Sequence, residues 1–286
     1  KAERPRHVWR PRMGMYGELV QFDGSYHDWL ENGDEECLLA AIDDATSIVP
    51  YAVFEDNEGV HAVFRFWWAY FENTGLPVAI YLDKFSTYKV NHKNAVDNIE
   101  MKTQFEHAMR ELGIKVITAH SPEAKGRIER LFGTLQDRFV KEMRLLDIKT
   151  RDKANEFIIT EYLTNHNARF GVHAENQGDA HRPLTEDMRP KLPSIFSIQS
   201  VRKVNNDYTI QFKNQWFQLD ATQNTTVYKR DTVTIEEWLD GAVHIRLKNI
   251  YLAYTVIRKR PKPTRMKVTA LTREKPLWRD CKIKCV

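Results

Sequence analysis

The chain has 286 residues, of which 42% are hydrophobic and 29% charged, and its formal net charge is +4. This length leaves room for two domains with cores of their own, and the composition is ordinary for a globular protein. No apolar run approaches the roughly 18 residues of a membrane-spanning helix, and three cysteines do not suggest a disulfide framework. Membrane-embedded proteins and disulfide-stapled scaffolds are therefore excluded, and we expect a protein of the reducing cytoplasm.

The charges are distributed unevenly along the chain. Residues 1–12 hold five basic residues and one acidic residue, and residues 258–286 hold eleven basic and two acidic residues, so the stretch between them carries a net charge of −9. Basic arms on a folded body are typical of proteins that neutralise nucleic-acid phosphates. Solvated tails without a ligand are the alternative interpretation.

The first predicted elements are three strands. Gly17–Asp23 alternates in polarity and ends in an aspartate, and Cys37–Asp43 and Ile48–Phe54 form a predicted hairpin. The turn of the hairpin holds Asp43 and Asp44. We interpret this pair as a turn cap, with a metal-binding role as the competing possibility.

Helices and strands then alternate. The pattern predicts a helix over Val60–Phe71, a strand over Val78–Asp83, a helix over Thr103–Leu112 and a strand over Ile114–Thr118. A second aspartate, Asp83, thus follows an apolar strand. This order of elements predicts a mixed sheet with helices packed on it.

A long amphipathic helix follows, and it carries a glutamate near its start. Its apolar residues recur at intervals of three and four: Ile128, Leu131, Phe132, Leu135, Phe139 and Met143. Ser121 and Pro122 suit the cap and first turn of such a helix. Glu129 then lies at the edge of the buried face. Pairing with Lys125 or Arg130 on the surface is the ordinary role of such a residue, but its place after two strand-end aspartates favours metal binding.

Three segments resemble the motifs of insertion-sequence transposases of the retroviral-integrase superfamily. They are QFDGS, YLDKFSTY and SPEAKGRIERLFGTLQDR, which hold Asp23, Asp83 and Glu129. The resemblance covers roughly residues 17–169 and implies a ribonuclease-H-like core in which these three carboxylates form the catalytic triad. It implies two Mg²⁺ ions per active site, with Mn²⁺ as a substitute, because such ions prefer carboxylate oxygens. The implied reaction is cleavage at insertion-sequence ends and transfer of the freed 3′ hydroxyl into target DNA.

The same resemblance implies the partners. We expect the ends of the element and target DNA as ligands, a homo-oligomer that holds paired ends, no membrane, and a cytoplasmic, nucleoid-associated protein of bacteria. The residues predicted to contact DNA are Lys84, Lys125, Arg127, Arg169, Arg258, Lys259, Arg260, Lys262 and Arg265. For Lys125, an ion pair with Glu129 is an equally good interpretation.

The sequence pattern changes in the second half of the chain. After a predicted helix over Lys153–Asn167 and a proline-rich stretch, short alternating strands separated by turn residues predict a small all-β domain, and related transposases have an SH3-like barrel in this position. The predicted limits are a basic arm at 1–14, a catalytic domain at 15–181, a linker at 182–196, the barrel at 197–257 and a basic tail at 258–286. The barrel is expected to bind DNA or a second subunit.

Two other functions stay open from the sequence. One is a domesticated, catalytically inactive relative that binds DNA, and the other is a ribonuclease-H-like nuclease. The chain also begins in a basic stretch without methionine. Because members of the family commonly carry helix-turn-helix modules before the core, we expect the chain to be part of a longer protein.

Overall fold

The computed structural model describes residues 11–82, 98–118 and 126–259, with the backbone alone at 98–102. This described part forms two compact units. One holds the described residues of Lys1–Val201 together with Val233–Tyr251, and the other holds Arg202–Thr232 together with those of Leu252–Val286. Within the described ranges, no helix combines the length and the apolar character needed to cross a membrane.

The first unit is built on a five-stranded mixed sheet. Its strands are β1 (Leu19–His27), β2 (Glu36–Asp43), β3 (Tyr51–Glu55), β4 (Ala79–Leu82) and β5 (Lys115–Thr118). Their order across the sheet is β3-β2-β1-β4-β5. The pairs β3–β2 and β2–β1 are antiparallel, whereas β1–β4 and β4–β5 are parallel. The predicted mixed sheet is thereby confirmed.

One face of the sheet is covered by α1 (Val60–Asn73) and α2 (Asn98–Glu111). Both helices contribute large side chains to a core that includes Phe22 of β1 and Trp67 of α1, neither of which exceeds 2% exposure. Removing such aromatic surface from water stabilises the fold by roughly 1.5–3 kcal/mol per side chain. The predicted linker also contributes: α6 (Leu192–Ile195) and the adjacent Phe196 are buried in this core.

The opposite face is covered by α3 (Gly126–Leu145) and a second long helical segment. The apolar residues of α3 that the periodicity singled out are buried against Leu38, Ala40 and Ile42 of β2. The helix ends where Asp147 adopts a positive φ of 53° and Ile148 donates its N–H to Met143. The prediction of an amphipathic helix is confirmed.

The second helical segment changes its hydrogen-bonding pattern midway. It consists of α4 (Arg151–Phe157), a π-helical segment (Ile158–Tyr162) and α5 (Leu163–Phe170). The N–H of Leu163 donates to Ile158, five residues back, where an α-helix would bond four residues back. The wider π turn therefore shifts the phase of α5 relative to α4.

Short strands make up the rest of the described chain. They are β6 (Ile198–Lys203), β7 (Thr209–Phe212), β8 (Gln215–Leu219), β9 (Thr232–Glu237), β10 (Val243–Leu247), β11 (Ile250–Tyr251) and β12 (Tyr254–Ile257). They form a four-stranded sheet in the order β11-β10-β9-β6 and a three-stranded sheet in the order β12-β8-β7. The strands themselves agree with the sequence pattern, whereas an SH3-like barrel is not confirmed. The predicted domain limits stay predictions.

Candidate active site

Asp23 lies in the middle of β1, on the face of the sheet that α3 covers. Two hydrogen bonds connect α3 to β1 on either side of Asp23. The N–H of Ile128 donates to Gln21 Oε1 at 3.3 Å, and Gln136 Nε2 donates to Ser25 Oγ at 3.2 Å. Side chains two residues apart on a strand share a face, so Gln21, Asp23 and Ser25 all face α3. The start of α3 is therefore fixed beside the half-buried Asp23.

Glu129 lies in the first turn of α3, next to Ile128. Ile128 is fully buried, whereas Glu129 is exposed and forms no hydrogen bond or ion pair with another described residue. A carboxylate in the first turn of a helix is also favoured by the helix dipole. The first turn of α3, which carries Glu129, therefore lies in the same region as Asp23, and the catalytic role of both residues stays a prediction.

The third predicted acid, Asp83, lies outside the described residues. Parallel pairing aligns Leu19 with Ala79 and Gln21 with Tyr81, which are residues sixty positions apart. The same separation divides Asp23 from Asp83 in the sequence. Lys84 and Lys125 also lie outside the described part. Within that part, no group of three or more His, Cys, Asp and Glu side chains could hold a metal ion.

The expected strand end at Asp23 is wrong, since β1 continues to His27. Its pairing with β2 extends through Gly24 with Leu39 to His27 with Glu36. A Cβ at Gly24 would lie 3.0 Å from the Glu58 carboxyl carbon and 3.1 Å from Leu39 Cδ2, so the glycine permits a close approach of these side chains inside the strand.

Asp43 and Asp44 are fully buried and serve the fold. Asp43 accepts hydrogen bonds from the N–H and hydroxyl of Thr46 at 2.8 and 2.7 Å and from the Gly17 N–H at 2.9 Å. Burial raises the pKa of Asp43, and these hydrogen bonds oppose that effect. The contacts support the turn-cap interpretation over a metal-binding role.

Asp44 connects three separate parts of the chain. Its Oδ1 accepts from Gln21 Nε2 and from Arg127 Nη1, each at 2.8 Å, and its Oδ2 accepts from the Met13 N–H at 2.9 Å. The Arg127 guanidinium, predicted to contact DNA, is therefore held in an ion pair at the start of α3. Its predicted DNA contact is not tested by this geometry and stays a prediction.

The other described basic candidates lie on the surface. Arg169 is exposed at the end of α5, with its guanidinium carbon 5.4 Å from the centre of the Phe170 ring. Arg258 and Lys259 are exposed directly after β12. Arg260, Lys262 and Arg265 lie outside the described residues.

Two curated proteins are similar to the chain over most of its length. The putative transposase y4bF of Sinorhizobium fredii is 36% identical over 261 residues, which are 91% of this chain and 56% of that protein. The transposase for insertion sequence IS1202 of Streptococcus pneumoniae is 30% identical over 248 residues, which are 84% of this chain and 51% of that protein. The chain is related to insertion-sequence transposases. The resemblance inferred from the three motifs is thereby confirmed.

The present chain spans about half the length of the curated proteins that it matches. A scan against protein-family models gives no match. Among solved structures, a chain of the simian T-cell lymphotropic virus intasome aligns with a TM-score of 0.43 and 14% identity, over 88% of this chain and 85% of that one. The HTLV-2 integrase catalytic core domain, in complex with magnesium in its dimeric form, aligns with a TM-score of 0.41 and 16% identity, over 59% of this chain and all of that one. At these low scores the fold assignment rests on the strand order itself.

The sequence analysis did not predict one feature of the chain, a basic cleft. A cleft beside the start of α3 is lined by Arg12, Arg127, Arg130 and His166, among others. His166 is 5% exposed, and burial together with Arg138 lowers its pKa to about 4. The i, i+3 spacing of Arg127 and Arg130 was a readable signal, but their proximity to Arg12 and His166 depends on contacts distant in sequence.

Proposed function

We propose that the chain is the catalytic part of a DNA transposase that cleaves the ends of an insertion sequence and transfers the 3′ hydroxyl into target DNA. Its similarity to two transposases supports this proposal at the level of the family. The observation that carries it at the level of residues is the placement of the first turn of α3 beside Asp23, with Gln21 and Ser25 as the fixed points.

The pairing of β1 with β4 supports the assignment of the third carboxylate. The described pairs are sixty residues apart, and Asp23 and Asp83 have the same separation. We assign Asp23, Asp83 and Glu129 as the metal ligands, because carboxylate oxygens suit hard divalent cations. Two Mg²⁺ ions, with Mn²⁺ as a substitute, would activate the attacking oxygen and stabilise the leaving oxygen of an in-line displacement at phosphorus.

The protein's own contribution is to hold these oxygens in place. Asp23 pairs with Ala40 of β2, and β1 also pairs with β4 at Leu19–Gln21, so its backbone cannot shift without breaking the ladder. Glu129 is positioned by the anchored first turn of α3 and remains accessible. Preorganised groups of this kind avoid the cost of reorganisation during the reaction.

The remaining assignments concern DNA and assembly. Arg169, Arg258 and Lys259 are exposed and available to phosphates, and we assign the same role to Lys84, Lys125, Arg127, Arg260, Lys262 and Arg265. A homo-oligomer would hold two ends together for coordinated insertion. The strands after residue 197, whether or not they close into a barrel, would add DNA or subunit contacts, and the protein would act on the bacterial nucleoid.

The proposal is tested by nicking and strand transfer on labelled DNA from the ends of the encoding element, with Mg²⁺ or Mn²⁺. Glu129→Gln should abolish both activities while DNA binding persists. Glu142→Gln is the matched control, since it makes the same change on an exposed position of the same helix. It should retain full activity.

Three outcomes would contradict the proposal. Equal activity of the native chain and Glu129→Gln would remove Glu129 from the site. DNA binding without activity in any variant would favour an inactive, DNA-binding relative. Cleavage of RNA or of an RNA–DNA hybrid, with no strand transfer, would instead indicate a ribonuclease-H-like enzyme.

A further inference from the structure

The cleft beside the start of α3 has a volume of about 170 Å³ and a strongly basic wall. Arg12, Arg127 and Arg130 place three guanidinium groups around it, and Ile42 and Phe170 add apolar surface. Guanidinium groups match the geometry of phosphate oxygens and remain charged at any physiological pH. The composition of the wall therefore suits an anion attached to a partly apolar molecule.

Arg12 is held in place from one side only. Its Nη1 donates to the carbonyl oxygens of Asp44 and Ala45 at 3.1 and 3.3 Å and to Ser47 Oγ at 2.8 Å. Among the described residues, these are its hydrogen bonds, and all of them use Nη1. Nε and Nη2 can therefore donate to a ligand without breaking the contacts that position the side chain.

His166 supplies the second and independent observation. It lines the cleft, it is 95% buried, and its Nδ1 is enclosed without a hydrogen-bond partner in the described part of the chain. An enclosed polar nitrogen without a partner is costly, and such groups in folded proteins call for an explanation. Because the lowered pKa keeps the ring neutral near pH 7, the imidazole can donate one hydrogen bond to an oxygen ligand.

The cleft and the candidate active site lie on the same face of the sheet. Ile42, which lines the cleft, pairs with Gln21, and Ala40 pairs with Asp23 two residues further along β1. Two to three strand residues correspond to about 7 to 10 Å. Successive phosphates of a DNA strand advance by about 3.4 Å along the duplex axis and also wind around it, so their straight-line spacing is about twice this rise and the distance corresponds to one or two nucleotides.

We propose that the cleft binds a backbone phosphate of the DNA strand one or two nucleotides from the phosphate at the Asp23–Glu129 site. Arg12 and Arg130 contact its oxygens, His166 donates a hydrogen bond, and Phe170 packs against the adjoining sugar or base. This inference rests on the proposed function for the identity of the ligand. It adds a contact that fixes the register of the strand relative to the reacting phosphate.

The test uses the full chain with Glu129→Gln to prevent turnover, and oligonucleotides that each carry one neutral methylphosphonate linkage. Binding is measured at several salt concentrations. In this parent, a neutral linkage one or two nucleotides from the cleavage position should reduce the slope of log K against log salt by about 0.9. In chains that also carry Arg130→Gln or Arg12→Gln, the same linkage should have little further effect. Arg110→Gln, which removes one exposed charge from α2, should behave as the parent.

A linkage effect of equal size in the parent and in both cleft variants would overturn the proposal. The His166 Nδ1 resonance distinguishes the source of the phosphate, because it should shift with the oligonucleotide and not with inorganic phosphate or a mononucleotide. An equal shift with free phosphate would make the cleft a small-anion site. Nicking is measured in parallel with the native chain, which keeps Glu129. The expected linkage pattern without nicking by the native chain would refute the proposed function alone, and nicking by the native chain without the pattern would refute the cleft alone.

Discussion

Asp43 and Asp44 at the end of β2 contrast with Asp23 and Glu129 beside the start of α3. The first two carboxylates are fully buried. Their oxygens accept hydrogen bonds from backbone and side-chain donors, among them the N–H groups of Met13 and Gly17 and the Arg127 guanidinium. Asp23 is half-buried and Glu129 is exposed, on the same face of one sheet. The same chemical group can thus be enclosed in a fold or lie nearer its surface, and the depth of burial separates the two pairs.

The largest effect should come from Asp44→Ala. The substitution leaves the Arg127 guanidinium, 13% exposed, without its carboxylate and removes the acceptor of Gln21. We expect the free energy of unfolding to fall by about 3–5 kcal/mol, as for other broken buried ion pairs. Urea denaturation measures it, with the exposed Asp34→Ala as a control that should stay within about 0.5 kcal/mol. A loss below about 1 kcal/mol would mean that Asp44 is not a structural acid.

Gln21→Met tests the link between the two acidic regions. Gln21 donates to Asp44 and accepts from the N–H of Ile128, so the substitution breaks both contacts at once. Stability should fall by about 1–3 kcal/mol, because buried groups lose their partners. Nicking should also fall, since the first turn of α3 loses its anchor. Gln136→Met, which breaks the partly buried contact to Ser25, should cost less stability. Full nicking activity in Gln21→Met would separate the two regions.

The pH dependence of stability should reveal His166. Its pKa is lowered from 6.5 to about 4 in the folded chain, so the unfolded chain binds more protons between these values. Stability should therefore fall as the pH decreases from 6.5 to about 4. In His166→Leu this contribution is absent, and the difference between the two urea-stability profiles isolates it from other groups that titrate in the same range. Parallel profiles would show that His166 is not held neutral by the fold.

The smallest effect on stability should come from Glu129→Gln. The side chain is exposed and contacts no described residue through a hydrogen bond or ion pair. The free energy of unfolding should change by no more than about 0.5 kcal/mol, although nicking is lost. Thermal and urea unfolding, measured on the same preparation that is assayed for nicking, compare the stability of Glu129→Gln with its activity. A loss of stability as large as that of Asp44→Ala would make Glu129 a structural residue.

Local patterns predicted the elements around the candidate site well. The three-and-four spacing of Ile128, Leu131 and Phe139 gave α3, because a helix with one apolar stripe needs a sheet to cover it. That Asp23 and Glu129 belong to one site was implied by the resemblance of their motifs, and it stays a prediction. The helix depends on residues close together in sequence, whereas these two acids are far apart in the chain.

The missed features depend on contacts that no local pattern records. Asp44 and Arg127 are 83 residues apart, and Arg12 reaches Ser47 across 35 residues. Leu192 and Phe196, in the proline-rich stretch before residue 197, are buried in the core that includes Phe22 and Trp67. Sparse apolar residues become core residues only when a surface elsewhere in the chain is complementary to them.

The π-helical segment gives the cleft an unusual dependence on chain length. Each residue of a helix advances the side chains by about 100°, and Ile158–Tyr162 adds a phase shift before His166 and Phe170. The wider turn holds one residue more than an α-helical turn, so deleting one residue from this segment would leave both side chains facing the three arginines. Deleting one residue between Tyr162 and His166 would instead turn both side chains by about 100° away from them. The side of the cleft formed by α5 therefore depends on where in the helix a residue is lost.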